Sequence, residues 1–337
     1  MDRLYDSILV TGGAGYCGSR LVPQLLNEGY NVVVYDIMYF GSDQLPVSHP
    51  GLTVIEGDIR DVGYLSKYLE NIDVVLSLAC ISNDASFELD EELSTSVNLD
   101  AFEPMVLAAK EQGIQRFIHA SSSSVYGVSD EPEVTEDHPL VPLTLYNKYK
   151  GLTEPLLFKH TNDSFTGVVF RPATVCGYSP RLRLDLSVNI LTNHAITNQN
   201  IRVFGGSQLR PNLHIQDYCD LCSTLISAPK DKIANQVFNY GFENMSIMNL
   251  AEIVKTVVEK EYPGIGEISI SVEPSDDIRS YHINSEKIKR ILDLRPRYTI
   301  ENAVLELCDA FRQQKIKNSM EDDKFFNVRK LKNMNAV

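Results

Sequence analysis

Tyr146 and Lys150 stand four residues apart in a helical pattern running from Leu145 to His160. That spacing places both side chains on one face of a helix. A buried ammonium beside a phenol favours the phenolate and lowers the tyrosine pKa from about 10 toward neutrality. A tyrosine so tuned is a general base at physiological pH. Upstream, the run Ser121-Ser122-Ser123-Ser124 leaves the end of an apolar strand pattern, Arg116-Phe117-Ile118-His119-Ala120. A hydroxyl from that run can hold a substrate oxygen. Base, cation and hydroxyl together suit removal of a carbinol proton while a hydride leaves the same carbon. Tyr-x-x-x-Lys also arises by chance on many helices, so the pair carries weight only if the chain holds a hydride acceptor.

The N-terminus supplies one. Ser7-Ile8-Leu9-Val10 is a short apolar run, followed at once by Thr11-Gly12-Gly13-Ala14-Gly15-Tyr16-Cys17-Gly18 and by a helical pattern from Ser19 to Glu28 that Gly29 stops. The glycines read as Gly-x-Gly-x-x-Gly at 13, 15 and 18, and as Gly-x-x-Gly-x-x-Gly at 12, 15 and 18. Glycines let the backbone approach a pyrophosphate, and the amides at the helix start point at it. The plainer alternative, a glycine-rich turn without a ligand, is disfavoured by the strand before it and the helix after it. A second apolar strand, Asn31 to Tyr35, ends in Asp36, 18 residues beyond Gly18. A carboxylate near that spacing accepts hydrogen bonds from the adenosine ribose. It would repel a 2′-phosphate, and no Arg or Lys intervenes before Arg60. The expected cofactor is therefore NAD rather than NADP.

Strand and helix patterns alternate as far as Phe170, with further strands at Leu52–Ile55, Asp73–Ala79, Arg116–Ala120 and Thr166–Phe170 and a long helix from Leu93 to Gln112. Such alternation predicts an α/β fold built on a doubly wound parallel sheet, with ligands at the carboxyl ends of the strands. Beyond about residue 173 the alternation breaks, and Pro, Arg and Asn become common. We expect a nucleotide-binding domain over 1–172, with a later segment near 208–242 returning to it. A smaller C-terminal substrate-binding lobe is expected from 173–207 and 243–315, and a loosely packed polar tail over 316–337.

The 337 residues carry a net charge of −14. That balance argues against nucleic acid as a partner, because phosphate backbones want a basic face. A few local arginines can still serve an anionic substrate. No apolar run reaches the roughly 18 residues of a membrane span, and no signal-peptide pattern opens the chain, so a cytoplasmic protein is expected. Cys17, Cys80, Cys176, Cys219, Cys222 and Cys308 lie mostly in apolar runs and read as buried thiols of a reducing compartment. Cys219 and Cys222 form a C-x-x-C, but no second ligand pair accompanies them, and no metal is expected.

The sequence resembles the extended short-chain dehydrogenase/reductase family, in its NAD-dependent nucleotide-sugar epimerase/dehydratase branch. The matching elements are the Thr11–Gly18 turn, Gly57-Asp58-Ile59-Arg60-Asp61, Leu78-Ala79, Val97-Asn98, Ser121–Gly127, Tyr146–Lys150 and Arg171-Pro172-Ala173-Thr174-Val175-Cys176-Gly177. The resemblance implies a Rossmann domain in which Gly12, Gly15, Tyr16, Cys17, Gly18, Asp36, Asp58, Ile59, Leu78, Ala79, Asn98 and Pro172 surround the cofactor. It implies that Lys150 also holds the nicotinamide ribose, that Tyr146 is the base and that Ser122 is its hydroxyl partner. Ser123 and Thr174 would face the substrate. Gly205 to Asn212 resembles the family's phosphate-gripping turn, with Arg210 on the substrate diphosphate, a task suited to a guanidinium fork. Arg183 and Asn189, which follow the sixth strand, are further substrate candidates, with Arg181 a weaker one. The family's Arg-Pro-Gly-Asp reads here as Pro274-Ser275-Asp276-Asp277, so Arg279 is the candidate to replace its arginine. The resemblance also implies a homodimer joined through the Asn98 and Tyr146 helices.

Family 4,6-dehydratases resemble one another in carrying Asp-Glu after the catalytic hydroxyl residue. Ser123 and Ser124 occupy those places here, which disfavours dehydration. Oxidation at C4 of a nucleotide-diphosphate sugar remains, with the hydride returned to the other face (a 4-epimerase) or kept (a 4-dehydrogenase, or a 4-keto reductase in reverse). The region from Arg181 to Asn189 also resembles enzymes acting on GDP-linked heptoses for bacterial surface polysaccharides. A reading from another class, a non-catalytic NAD-sensing protein, has no need for Ser122, Tyr146 and Lys150 together.

Overall fold

The computed structural model describes residues 3–82, 84–275 and 280–334. Seven parallel strands form the main sheet: β1 (Ser7–Thr11), β2 (Asn31–Asp36), β3 (Leu52–Glu56), β4 (Val74–Ser77), β5 (Arg116–Ala120), β6 (Thr166–Pro172) and, after two strands of the second lobe described below and β7 (Thr174–Cys176), β10 (Gln236–Tyr240). Their order is β10-β6-β5-β4-β1-β2-β3. The chain winds outward from β1 through β2 and β3, then restarts at β4 on the other side. The crevice between β1 and β4 is thus the topological switch point, where such sheets bind ligands. The strands are apolar along their length because helices cover both faces. On one face, Leu21 and Leu25 of helix α1 (Tyr16–Asn27) pack with Val10, Val34, Leu221 and Leu225. On the other, Phe102 and Val106 of α2 (Phe102–Glu111) pack with Phe117 and with Leu157 of α3 (Leu145–Phe158).

The second lobe has its own core. Helices α4 (Ser187–Asn198), α6 (Ile247–Glu261) and α7 (Ile300–Arg312) bury Leu191, Leu250, Val254 and Val304 against Ile201 of β8 (Asn200–Phe204), which pairs in parallel with β12 (Ser269–Glu273). A three-stranded sheet, β11 (Glu243–Ser246), β9 (Leu209–His214) and β7, links the lobes. Between them α5 (Ile215–Ser227) returns to the main sheet and carries Cys219 and Cys222, both fully buried in the core against α1.

Two expectations are corrected. The stretch from 93 to 112 is not one helix: Glu91–Thr95 leads into a π-helical turn at Ser96–Asp100 before α2 begins. Such a turn re-aims one side chain, here Asn98. Nor is the C-terminus a loose tail. Phe325 and Phe326, followed by α8 (Asn327–Asn333), pack on Leu182, Leu184 and Leu307. The charges around 321–332 hide those apolar contacts in the sequence pattern.

Candidate active site

A cavity of about 710 Å³ opens at the carboxyl ends of β1, β4, β5 and β6, and the second lobe closes it from above. The glycine turn forms its floor. Gly12 has φ +72°, and a Cβ there would lie 2.7 Å from the Ala79 amide nitrogen. A Cβ at Gly18 would lie 2.4 Å from the Gly13 carbonyl oxygen. Strand, turn and helix therefore approach closer than side chains allow. At Gly15, the N-cap of α1, no side chain caps the helix, so its first amides are left for the cavity. A diphosphate fits that cradle, and the fit is one of bare backbone donors rather than of charge.

Asp36 ends β2 at the cavity edge. It accepts the amides of Ala14 (3.0 Å) and Met38 (2.9 Å), one on each carboxylate oxygen. Burial pushes its pKa up, against those two hydrogen bonds and the charge of Arg181. Each oxygen keeps a lone pair for a further donor. Asp58, Ile59, Leu78 and Ala79 line the same end. Arg60 is committed to Asp58, at 2.5 Å. Burial opposes the Asp58 charge, but the Arg60 pairing outweighs it and lowers the pKa.

The opposite wall comes from α3. Thr144 caps it by accepting the Asn147 amide. Tyr146, Lys150 and Glu154 then fall on one face at successive spacings of four. Glu154 is pinned from three directions: it accepts Ser121 Oγ at 2.6 Å and the Arg171 fork at 2.9 and 2.5 Å. Arg171 also donates to the Tyr126 hydroxyl (2.6 Å), which donates to Asn239 Oδ1 of β10 (2.7 Å). This buried chain sets the roll of α3, so Tyr146 and Lys150 reach the cavity. Lys150, only 6% exposed, donates to the Ala120 carbonyl at 2.8 Å. Ser122 shares a 2.7 Å hydrogen bond with Ser124, which in turn donates to Asn147 Oδ1.

The Tyr146 proton is held differently from the sequence expectation. Burial, with Cys80 and Asp84 close by, pushes the phenol pKa well above the usual tyrosine value, and the leading opposing cation is Arg183. Lys150 has turned its ammonium toward the Ala120 carbonyl. Asp84 was invisible as a site residue in the sequence; it belongs to a four-residue helix, Asp84–Phe87, and accepts the Thr144 hydroxyl.

Gly12, Gly15, Tyr16, Cys17, Gly18, Ser123, Pro172, Thr174, Arg183 and Arg210 also line the cavity. Asn98 and Asn189 do not. Asn98 is buried behind the wall, where its amide group donates to the Ile81 carbonyl and accepts the Ile81 amide, each at 2.9 Å. It shapes the loop after β4 instead of touching the cavity. Asn189, fully buried, accepts the Gly177 amide at 2.9 Å and donates to the Arg183 carbonyl at 2.8 Å. The family resemblance points to Asn98 as a cofactor residue and Asn189 is a substrate candidate, but Asn98 spends its amide on the Ile81 backbone and Asn189 on the Gly177 and Arg183 backbone and the Tyr16 hydroxyl. Arg279 lies outside the described residues. Asn327, from the C-terminal segment, lines the cavity as well; its partners lie more than a hundred residues away, and nothing local signals it.

A parallel sheet of Rossmann type with serine, tyrosine and lysine on one wall at its switch point is the architecture of the NAD-dependent short-chain dehydrogenase/reductase class. Within that class the chain belongs to the NAD dependent epimerase/dehydratase family, whose sequence model matches residues 8–241. Relatives include the low-salt glycan biosynthesis protein Agl12 of Haloferax volcanii, 28% identical over 309 residues that span 89% of this chain and 96% of that protein. A UDP-glucose 4-epimerase of Lacticaseibacillus casei is 28% identical over 328 residues, 89% of this chain and 95% of its own. Among solved structures, MoeE5 in complex with UDP-glucuronic acid and NAD superposes with TM-score 0.78 at 25% identity, covering 91% of this chain and 99% of that one.

The Glu154–Arg171 pair yields a direct test. Replacing one partner strands a buried charge, which costs roughly 3–5 kcal/mol. Arg171→Met should lower the urea midpoint accordingly, and the double variant Glu154→Leu/Arg171→Met should recover much of the loss.

Proposed function

We propose that this protein is an NAD-dependent 4-epimerase of a nucleotide-diphosphate sugar. The observation that carries the reading is the common wall: Ser122, Tyr146 and Lys150 face one cavity whose far end is the glycine turn and Asp36. Each residue has a derivable task. The first amides of α1 receive the cofactor diphosphate, and the free lone pairs of Asp36 receive the adenosine ribose hydroxyls. An ammonium has three donors; Lys150 spends one on Ala120 and keeps two for the nicotinamide ribose. NAD, when bound, supplies the acceptor for the C4 hydride and, in its oxidised form, a positive charge in the cavity.

Tyr146 takes the proton from the C4 hydroxyl while Ser122 holds that oxygen by hydrogen bonding. The Ser122–Ser124–Asn147 chain orients the Ser122 hydroxyl. Arg210, stacked 5.3 Å from the Tyr281 ring at the other end of the cavity, is placed to grip the substrate diphosphate while the keto sugar turns its other face to the cofactor. Tyr146 then returns the proton. Ser123 and Ser124 supply no carboxylic acid to expel water from C6, which separates this reading from a dehydratase. The Lacticaseibacillus casei relative, described as a UDP-glucose 4-epimerase, supports the same assignment. Leu107 of α2 and Leu152 of α3 are exposed apolar residues on the two helices we expect to join a homodimer.

Tyr146→Phe should lower kcat by about 10²- to 10⁴-fold with NAD still bound; an unchanged rate removes Tyr146 as the base. The base works as a phenolate and its pKa is raised, so kcat should climb with pH between about 6 and 9. A flat profile over that span would contradict proton removal by Tyr146 in the slow step. Asp36→Ala should narrow the preference for NAD over NADP by about tenfold or more in paired titrations, and an unaltered ratio would free Asp36 of the ribose.

A further inference from the structure

The segment between β7 and α4 hangs over the glycine turn and is stitched to it by buried hydrogen bonds. Ser179 Oγ donates to the Tyr16 carbonyl at 2.7 Å, and the Tyr16 hydroxyl donates to the Gly177 carbonyl at 2.7 Å. The Arg181 amide donates to Ser19 Oγ at 3.1 Å. These contacts hold Arg181 and Arg183 beside the first turn of α1.

Both guanidinium groups are nearly sealed, at 6% and 7% exposure, and both line the cavity. Arg181 donates to Asn327 Oδ1 at 2.5 Å and stacks 3.5 Å from the Phe40 ring centroid, while its Nε has no partner. Arg183 donates to Asp185 Oδ1 at 2.9 Å and to Ser82 Oγ at 3.0 Å, while its Nη2 has no partner. Asp185 is shared, since it also accepts the Asn327 amide at 3.0 Å. Unpaired buried donors are costly, and two adjacent cations compound the cost. Burial and then Arg183 push the Arg181 pKa down, with Asp185 and Asp36 opposing. Such a place is completed by an anion.

The neighbours of the pair say which anion. Against burial and Arg183, the groups that favour the Arg181 charge are Asp185, Asp36 and Tyr16. Against its burial, Asp185 first, then Tyr146 and Cys17, raise the Arg183 pKa. The Arg181 amide bonds Ser19 in the first turn of α1, its guanidinium lies over Phe40 four residues beyond Asp36, and Arg183 reaches Ser82 after β4, so the pair spans the cavity beside the start of α1. In the reading given above, the middle of that span is where the cofactor diphosphate lies. We propose that Arg181 and Arg183 close over the diphosphate of the dinucleotide at the first turn of α1, so that the second lobe holds the cofactor through turnover. This assigns Arg183 to the cofactor in place of the substrate role suggested by the charge pattern, and it rests on the cavity taking NAD. A cofactor gripped by both lobes suits a reaction that returns its hydride on every cycle.

The test is NAD affinity by calorimetric titration of the full chain, with UDP titrated in parallel as a probe of the substrate's own diphosphate. Arg181→Gln and Arg183→Gln should each weaken NAD binding by about 10- to 100-fold, with UDP binding changed by less than about threefold. Arg181→Lys and Arg183→Lys keep the charge but lose the fork, and should fall between wild type and the Gln variants. If the Gln variants do not fold, as judged by circular dichroism, the Lys variants decide alone: NAD weakened with UDP unchanged upholds the clamp. Unchanged NAD affinity overturns it. So does a loss confined to UDP, which would return the arginines to the substrate. If wild-type protein fails to bind NAD, the cofactor reading itself falls, and the clamp with it.

Discussion

Glu154 and Arg171 meet where α3 lies against β6, each about 95% buried, in a bidentate contact that also engages Ser121 and Tyr126. A carboxylate and a guanidinium removed from water are tolerated only when their remaining donors and acceptors are satisfied. Here they are satisfied by groups from three further places: Ser121 just after β5, Tyr126 in the turn that follows and, through Tyr126, Asn239 of β10. The pair therefore specifies geometry more than it adds net stability. Because α3 repeats every 3.6 residues, fixing Glu154 also fixes Lys150 and Tyr146, one and two turns earlier. Ser121, held by the same carboxylate, sets the direction in which the chain leaves β5, and so the position of Ser122. The three groups proposed for proton transfer share one buried anchor.

The other half of the cavity depends on close backbone approach. Gly12 lies against Ala79 and Gly18 against Gly13, which brings α1 over the sheet at the switch point. The 177–183 segment is then tied to Tyr16 and Ser19, and the C-terminal Asn327 is tied to Arg181, Ser82 and Asp185. Three distant stretches thus converge above the turn. The second lobe is joined to the glycine-turn end of the cavity by the same hydrogen bonds that position its arginines.

Much of this was legible in the sequence because it depends on local spacing. The alternation of apolar runs with helical patterns announced the parallel sheet, and the glycine spacing with Asp36 announced the turn and the acid that line one end of the cavity. Tyr146 and Lys150 were legible from helix periodicity alone. What the sequence hid depends on contacts between remote residues. Asn98 and Asn189 have the side chains of ligand donors, but a π-turn at Asn98 and the first turn of α4 at Asn189 aim them at the backbone of Ile81, Gly177 and Arg183. Phe325 and Phe326 sit in a charged stretch whose apolar partners, Leu182 and Leu184, lie far upstream. The phenol of Tyr146 answers to burial, Cys80, Asp84 and Arg183, and only Lys150 was near enough in sequence to be considered.

In the 4-epimerase proposed above, hydride leaves C4 and comes back. A panel of UDP-, GDP-, dTDP- and CDP-sugars deuterated at C4, incubated with the protein and NAD and followed by NMR and mass spectrometry, tests it most directly. The account predicts, for the accepted sugar, a C4 epimer of unchanged mass with deuterium still on C4 and no accumulation of reduced nicotinamide absorbance. A keto product that has lost its deuterium, with reduced nicotinamide formed in equal amount, would contradict it.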